Sequence, residues 1–342
     1  VAGAVLENVT KTFGETVAVE NLSLAVGRKE FLVLLGPTGA GKTTTLRLLA
    51  GLEQPDSGKV HIAGEDVTAQ PPAARDVAFV FQQYSLYPHY TVFENLAFPL
   101  RAPGRRLNAD SIRRRVGEIS EMLRIGHKLN DRVTQLSGGE MQRVSIGRAL
   151  VRKPKLFLMD EPLSSLDAKL REDLRVELKR IQRDLEATIV YVTHDQLEAM
   201  TLADTIGILQ EGRLVQADSP RIAYERPATI YAAQRLGSPQ INLIEAGRLG
   251  LAGGPPAAAT AGIRPEDLTV GAEIGAEAKI IAVEHRGDEA VALIEADGLR
   301  LHALLDAGVS MEPGSRTRVA VRAESAIWFD SGERLVGAGA PG

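Results

Sequence analysis

Short apolar runs broken by polar, Gly-rich stretches dominate the first part of the chain. Ala4–Val9, Val17–Val26 and Phe31–Leu35 read as strands, followed by Lys59–Ile62, Val77–Phe81, Leu156–Met159, Thr188–Val192 and Thr205–Leu209. Helical periodicity separates the later runs. Alternating strands and helices predict a mainly parallel sheet covered by helices, and the crowded early strands predict an antiparallel β layer beside it. Between about 91 and 153 lies a helical insert. There Asn108 or Asp110 can cap a helix with Ile112, Val116, Ile119 and Leu123 on one face. Gly126 offers its stop, and a second helix begins at Ser137. From Leu166 another helix carries Leu170, Leu174, Leu178, Ile181 and Leu185 on a core stripe, its charged faces expected to be solvated.

The pattern changes after about Gly237. Ala278–Glu284, Ala290–Ile294, Arg300–Leu304 and Thr317–Ala323 are short strand-like runs separated by Gly, Asp and Pro, which predicts a small barrel-like β domain. Gly253-Gly254-Pro255-Pro256-Ala257-Ala258-Ala259 reads as loop, and the tail Gly337–Gly342 is expected to be disordered. The expected domains are therefore 1–236 and 237–342, with no convincing internal repeat.

Composition narrows the classes. At 342 residues, 44% hydrophobic and 25% charged, the chain has the usual make-up of a globular protein with room for two cores. No apolar run approaches the roughly 18 residues of a membrane span, and no basic-then-apolar signal segment is read, so a cytosolic setting is expected. With no cysteine, disulfides, thiolate metal sites and cysteine catalysis are excluded. Residues 1–235 hold 31 Lys and Arg against 29 Asp and Glu, and the remainder holds 9 against 15. Neither part has the basic field of a nucleic-acid binder, and Arg113-Arg114-Arg115 is expected on a solvated helix face.

The chemistry begins at Gly36-Pro37-Thr38-Gly39-Ala40-Gly41-Lys42-Thr43-Thr44, directly after an apolar run. It fits the P-loop pattern, in which glycines let backbone N–H groups curl around a polyphosphate. Lys42 adds a charge for the β- and γ-phosphates, and the Thr43 hydroxyl can ligate Mg²⁺. The helix from Thr43 to Leu52 aims its positive end at the same anion. Leu156–Met159 delivers Asp160, placed to hold Mg²⁺, and Glu161, placed to polarise a water aimed at the γ-phosphate. Ser137-Gly138-Gly139-Glu140 combines a capping box with a glycine-rich helix start suited to a phosphate. Gln82 ends one strand run, where its carbonyl can ligate Mg²⁺, and His194 follows another.

Together these segments, in this order, resemble the ATP-hydrolysing subunit of an ABC transporter across about residues 4–235. The resemblance implies that Gly36–Thr44 is Walker A, Gln82 the Q-loop, Leu136–Glu140 the signature and Asp160-Glu161 Walker B with its catalytic base. It makes Ser164-Ser165-Leu166-Asp167 the D-loop, His194 the switch histidine at the γ-phosphate and Phe13 the aromatic that stacks on adenine. The implied fold is a P-loop NTPase cassette, and the implied cofactors are ATP and Mg²⁺. The implied partners are a second copy of the chain, head to tail, and two transmembrane permease subunits. An extracytoplasmic solute-binding protein acts indirectly, and no nucleic acid is involved. The subunit would sit peripherally on the cytoplasmic face of the inner membrane.

Val80–His89, Asp167–Arg171 and Tyr191–Met200 further resemble the carbohydrate-importer ATPases of the maltose and glycerol-phosphate types. Gly237–Asn242 and Gly262–Glu266 are similar to the start of their C-terminal domain, an oligonucleotide-fold-like unit that reinforces dimerisation and receives regulators. A sugar, polyol or glycerol-phosphate-like solute is expected. The alternatives are importers of a polyamine, an oxyanion or a metal, and a non-transport ABC ATPase. Two departures stand out: Phe13 lacks a tyrosine hydroxyl, and Glu140-Met141 replaces the family's Gln-Arg. A carboxylate at 140 is unfavourable near a phosphate unless it points at its own helix start. Tyr84, Leu86, Tyr87 and Tyr90 are expected to rim a groove where a permease helix docks.

Overall fold

β1 (Ala2–Phe13) and β2 (Thr16–Gly27) pair antiparallel, and alternation along them buries Leu6, Val9, Val19, Leu22 and Leu24. In the computed structural model, which describes residues 2–102, 107–251, 254–306 and 311–338, the chain divides into compact units Val1–Ala217 and Asp218–Gly342. β3 (Phe31–Leu35) is buried at every residue, as a strand covered on both faces must be. After α1 (Lys42–Ala50), β4 (Ser57–Ile62) and β5 (Glu65–Asp66) complete the antiparallel layer in the order β2-β1-β4-β5.

The second layer is a six-stranded sheet. It adds β6 (Val77–Val80) and then, beyond the insert, β7 (Leu156–Asp160), β8 (Ile189–Thr193), β9 (Thr205–Gln210) and β10 (Arg213–Asp218). Its order is β10-β9-β3-β8-β7-β6, and β9, β3, β8, β7 and β6 run parallel. Leu35 therefore lies beside Thr193, and Asp160 beside Val192, so three strand ends open on one edge. Leu6 and Leu24 of the first layer, Leu34 and Leu158 of the second, and Leu46 and Leu49 of α1 share one core.

The insert holds α2 (Val92–Ala97), α3 (Ala109–Met122) and α4 (Gly138–Leu150). Asn108 caps α3, its side chain accepting the Ser111 N–H at 2.8 Å. The helix stops before Gly126, because Arg124 takes the left-handed conformation (φ 56). Arg143 of α4 donates to the Leu123 carbonyl at the end of α3 (3.0 Å), while Arg115 of α3 donates to the Leu150 and Val151 carbonyls at the end of α4 (2.8 and 3.3 Å). Arg113 and Arg114 are exposed as expected, but Arg115 is a structural clamp.

α5 (Ala168–Leu185) and α6 (Gln196–Leu202) cover the parallel sheet. Leu174, Leu178 and Ile181 are buried, and so are Glu177 and Gln182, against the expectation of solvated polar faces. Glu177 pairs with Arg143, and Gln182 donates to the Lys29 carbonyl at 2.6 Å. Tertiary contact replaces water there.

The second unit begins with α7 (Pro220–Glu225) and α8 (Ile230–Arg235). Buried Arg264 ties both to the β strands, donating to the Tyr224, Ala233 and Leu236 carbonyls at 2.7, 3.1 and 2.5 Å. β11 (Asn242–Glu245) and β12 (Thr260–Ile263) precede a longer series: β13 (Leu268–Val270), β14 (Ala276–His285), β15 (Glu289–Ala296), β16 (Leu299–Asp306) and β17 (Arg316–Val321). These five form a sheet in the order β13-β17-β14-β15-β16 whose edge strands approach each other, a nearly closed small barrel. β18 (Ile327–Phe329) and β19 (Leu335–Ala338) join β11 and β12 in a second sheet. Gly337 thus pairs with Trp328 in a strand, correcting the expected disordered tail; residues 339–342 lie outside the described residues. Residues 254–259 form no regular element, and Gly253 is not described.

Candidate functional site

Among the described residues, α1 alone of the eight α-helices starts without a side-chain cap. The others carry Thr91, Asn108, Ser137, Asp167, Asp195, Ser219 or Thr229 in that role. Gly41 stands at the start of α1 with φ 96, and a Cβ there would lie 2.5 Å from the Ala18 carbonyl oxygen. The first-turn N–H groups are left for a ligand, and the helix dipole makes that ligand an anion. Lys42, 5% exposed, folds its ammonium onto the Gly36 and Pro37 carbonyls, each at 2.9 Å. Burial pulls its pKa below the usual lysine value, while Glu161 and Asp160 push it back up.

Thr43 donates its hydroxyl proton to Asp160 Oδ1 at 3.0 Å, joining the P-loop to the end of β7. Burial raises the Asp160 pKa; the Thr43 hydrogen bond opposes that rise and the neighbouring Glu161 charge adds to it. Glu161 follows in a left-handed conformation (φ 43), held by its N–H on the Val192 carbonyl at 3.0 Å. Such a conformation costs a non-glycine residue about 1–3 kcal/mol. His194 Nδ1 lies 3.2 Å from Glu161 Oε2. Lys42, Thr43, Asp160, Glu161 and His194 thus meet at one sheet edge. Gln82 is exposed just beyond the end of β6, and Phe13 presents a ring 46% exposed at the end of β1.

Ser137–Glu140 forms the start of α4. Ser137 caps α4, accepting the Glu140 N–H at 3.4 Å, while Glu140 Oε2 accepts the Ser137 N–H and hydroxyl, both at 2.8 Å. Those bonds, led by the backbone one, hold the Glu140 pKa below its usual value. The carboxylate points at its own helix start, as its spacing required, and Lys128 stands 3.7 Å away. A Cβ on Gly139 would come 2.3 Å from a Leu170 methyl, so a side chain there must displace Leu170 from its seat between α4 and α5. No hydrogen bond among the described residues joins Ser137–Glu140 to the P-loop. Asp167 Oδ1 accepts the Leu170 N–H at 3.0 Å, capping α5.

A cavity of about 300 Å³ lies beside the Gln82 loop, lined by Phe81, Tyr84, Tyr87, Phe98 and Arg148 among others. Leu86 and Tyr90 do not line it, although the Tyr90 ring packs tilted against Tyr87 with centroids 5.4 Å apart. Tyr84 Oη reaches Ser165 Oγ at 3.3 Å. Arg148 of α4, missed in the sequence, donates to the Ser85 carbonyl and sits 4.7 Å from the Tyr87 ring centroid. Its only signal was a cation in the last turn of α4, which a helix end also favours.

A family model described as ABC transporter matches residues 19–164, and one described as TOBE domain matches residues 261–329. The chain is 50% identical over 252 residues to the trehalose/maltose import ATP-binding protein MalK of Thermococcus litoralis, covering 72% of this chain and 67% of that protein. It is 45% identical over 346 residues to the sn-glycerol-3-phosphate import ATP-binding protein UgpC of Rhizobium meliloti, covering 96% and 99%. Among solved structures it is similar to a dimeric bacterial ABC transporter cassette (TM-score 0.58, 34% identical, 64% of this chain and 99% of that one). It is also similar to that cassette's post-hydrolysis dimer bound to ADP and Pi (TM-score 0.57, 33% identical, 64% and 99%). An uncapped P-loop helix, a paired Thr43–Asp160 and a relative matched over nearly its full length agree: the chain belongs to the ABC transporter family, as one of its ATP-binding ATPase subunits.

Proposed function

We propose that the chain is the energy-coupling subunit of an importer for a sugar, polyol or glycerol-phosphate-like solute. The curated relatives, matched over most of this chain, support that solute class. The observation that carries the catalytic reading is the uncapped start of α1 beside Thr43, Asp160, Glu161 and His194. ATP binds with its phosphates on the α1 N–H groups and Lys42, and its adenine stacks on Phe13. Thr43 and Asp160 offer hard oxygen donors 3.0 Å apart, and the raised Asp160 pKa marks a carboxylate short of positive charge. That donor set fits Mg²⁺, with Gln82 as a further ligand. Bound there, Mg²⁺ supplies charge neutralisation for the phosphates. Glu161 takes the proton of the attacking water, and His194 holds the γ-phosphate side.

Ser137, Gly138, Gly139 and Glu140 serve the nucleotide of a second copy, head to tail; Asp167 lies in the loop facing it. Two permease subunits dock helices in the cavity at Tyr84 and Tyr87, holding the subunit peripherally at the cytoplasmic face of the inner membrane. An extracytoplasmic solute-binding protein acts through them. The second unit reinforces the dimer and receives regulators. The test compares ATP binding, turnover and oligomeric state in wild type, Lys42→Ala and Glu161→Gln. Lys42→Ala should bind ATP weakly, and Glu161→Gln should accumulate as an ATP-bound dimer with turnover lost. Turnover equal to wild type in both variants would refute the assignment.

A further inference from the structure

Arg171 is the fourth residue of α5, so its cation stands in the first turn of a helix, where the macrodipole opposes it. Two partners hold it there. Nη2 donates to the Leu166 carbonyl at 3.0 Å, and Nη1 pairs with Asp195 Oδ2 at 3.5 Å. Leu166 belongs to the segment between Glu161 and α5, whose Ser164 bonds the Glu161 carbonyl through N–H (3.3 Å) and hydroxyl (2.9 Å). Asp195 follows His194 directly, and its other oxygen caps α6 through the Leu197 and Glu198 N–H groups at 2.7 and 3.2 Å.

Behind it the structure is fixed. Buried Glu198 accepts the Tyr191 and Thr193 hydroxyls at 2.8 and 2.7 Å, and Thr193 Oγ1 accepts the Asp195 N–H at 3.0 Å. With the 3.2 Å contact between His194 and Glu161, the contacts form a closed ring: Glu161, His194, Asp195, Arg171, Leu166, and back through Ser164. Arg171 sits on α5, outside both loops, and its two prongs reach one acceptor in each.

We infer that Arg171 is a positioning residue for ATP hydrolysis, fastening the 164–167 segment to His194 so that the two move as one piece. The inference rests on the roles proposed above for Glu161 and His194. Ser165 and Asp167 are exposed, so whatever meets that segment displaces Leu166, and the rigid guanidinium fork passes the displacement to Asp195. Arg171 touches neither the α1 N–H groups nor Lys42, so ground-state nucleotide binding is left alone.

The test uses the full chain. Arg171→Met should lose about 10- to 100-fold in kcat, with KM for ATP and the melting temperature essentially unchanged. Asp195→Asn, which retains an oxygen to cap α6, should lose part of the same activity. The double variant should be no slower than Arg171→Met, because both act through one link. In histidine-selective NMR spectra the His194 signal, identified by its disappearance in His194→Ala, should move in Arg171→Met. Wild-type kcat in Arg171→Met, multiplicative losses in the double variant, or an unmoved His194 signal overturns the inference. Should Arg171→Met fail to fold, Arg171→Lys, which keeps the charge without the two-pronged reach, carries the same expectations. No ATP hydrolysis by the wild type would bring down the proposed function; undiminished hydrolysis by Arg171→Met brings down only this inference.

Discussion

Replacing Arg75 by methionine should destabilise the cassette by about 3–5 kcal/mol, because buried carbonyls left short of a donor cost about 1–3 kcal/mol each. Arg75 is 1% exposed and closes the single 3₁₀ turn Pro72–Ala74 in a Pro- and Ala-rich stretch. Its guanidinium donates to the Leu48 and Leu49 carbonyls at the end of α1 (2.6 and 3.1 Å), to Gln70 (3.0 Å) and to Thr68 (3.1 Å). Each bond from a charged donor is worth about 1.5–3 kcal/mol net, and a cation at a helix C-terminus adds up to about 2. Desolvation works against that sum, and burial lowers the Arg75 pKa. Methionine fills most of the volume but strips four carbonyls of the guanidinium, although Leu48 keeps the Gly51 N–H at 3.2 Å.

At about 2–4 °C per kcal/mol for a unit of this size, the melting temperature should fall by roughly 6–20 °C. Calorimetry of the full chain can follow this, the cassette transition being the one that ATP raises. Gly51→Ala should reproduce much of the loss, since its Cβ would lie 2.5 Å from Arg75 Nε and its φ is 75. A cassette transition in Arg75→Met within about 2 °C of wild type would show that the four bonds contribute nothing net.

Two further expectations follow from the titrating groups. A carboxyl whose folded pKa lies above its unfolded value costs stability above the folded pKa, and the cost vanishes as pH falls below the unfolded one. Asp160 is such a group, so Asp160→Asn, free of nucleotide and metal, should melt above wild type near about pH 7, the gap closing toward about pH 3. Identical melting at neutral pH would contradict this. Glu140→Gln keeps an oxygen for the Ser137 bonds but removes a charge that, in the proposed head-to-tail dimer, opposes the second copy's nucleotide phosphate by about 1 kcal/mol. Half-maximal turnover should then need about fivefold less ATP, an effect blunted by salt; an unchanged requirement would place the phosphate elsewhere.

Much of the site was legible because its residues are adjacent in sequence or stand at strand ends. Gly36–Thr44, Asp160-Glu161 and the inward turn of Glu140 each follow from spacing within a few residues. Arginine partners were not legible. Arg75 reaches Leu48, Arg115 reaches Leu150 and Arg143 reaches Leu123, each a backbone carbonyl brought near only by tertiary packing. Glu177 looked solvated because helical periodicity marks the buried stripe and cannot see a second helix arriving from the side. In the second unit, β12, β13 and β18 have only three or four residues, too few for a period of two to declare itself.

The reciprocal clamps of Arg115 and Arg143 have a mechanical corollary. Two rods that each seal the other's open end behave as a plate, because flexing either one would unseat both guanidinium groups together. Any push delivered near Tyr84 or Ser137 must then be absorbed at the plate's margins. Residues with left-handed backbone mark both approaches, Ser85 (φ 50) ahead of α2 and Lys153 (φ 52) beyond α4. A displacement of the insert therefore carries α3 and α4 together instead of sliding one past the other.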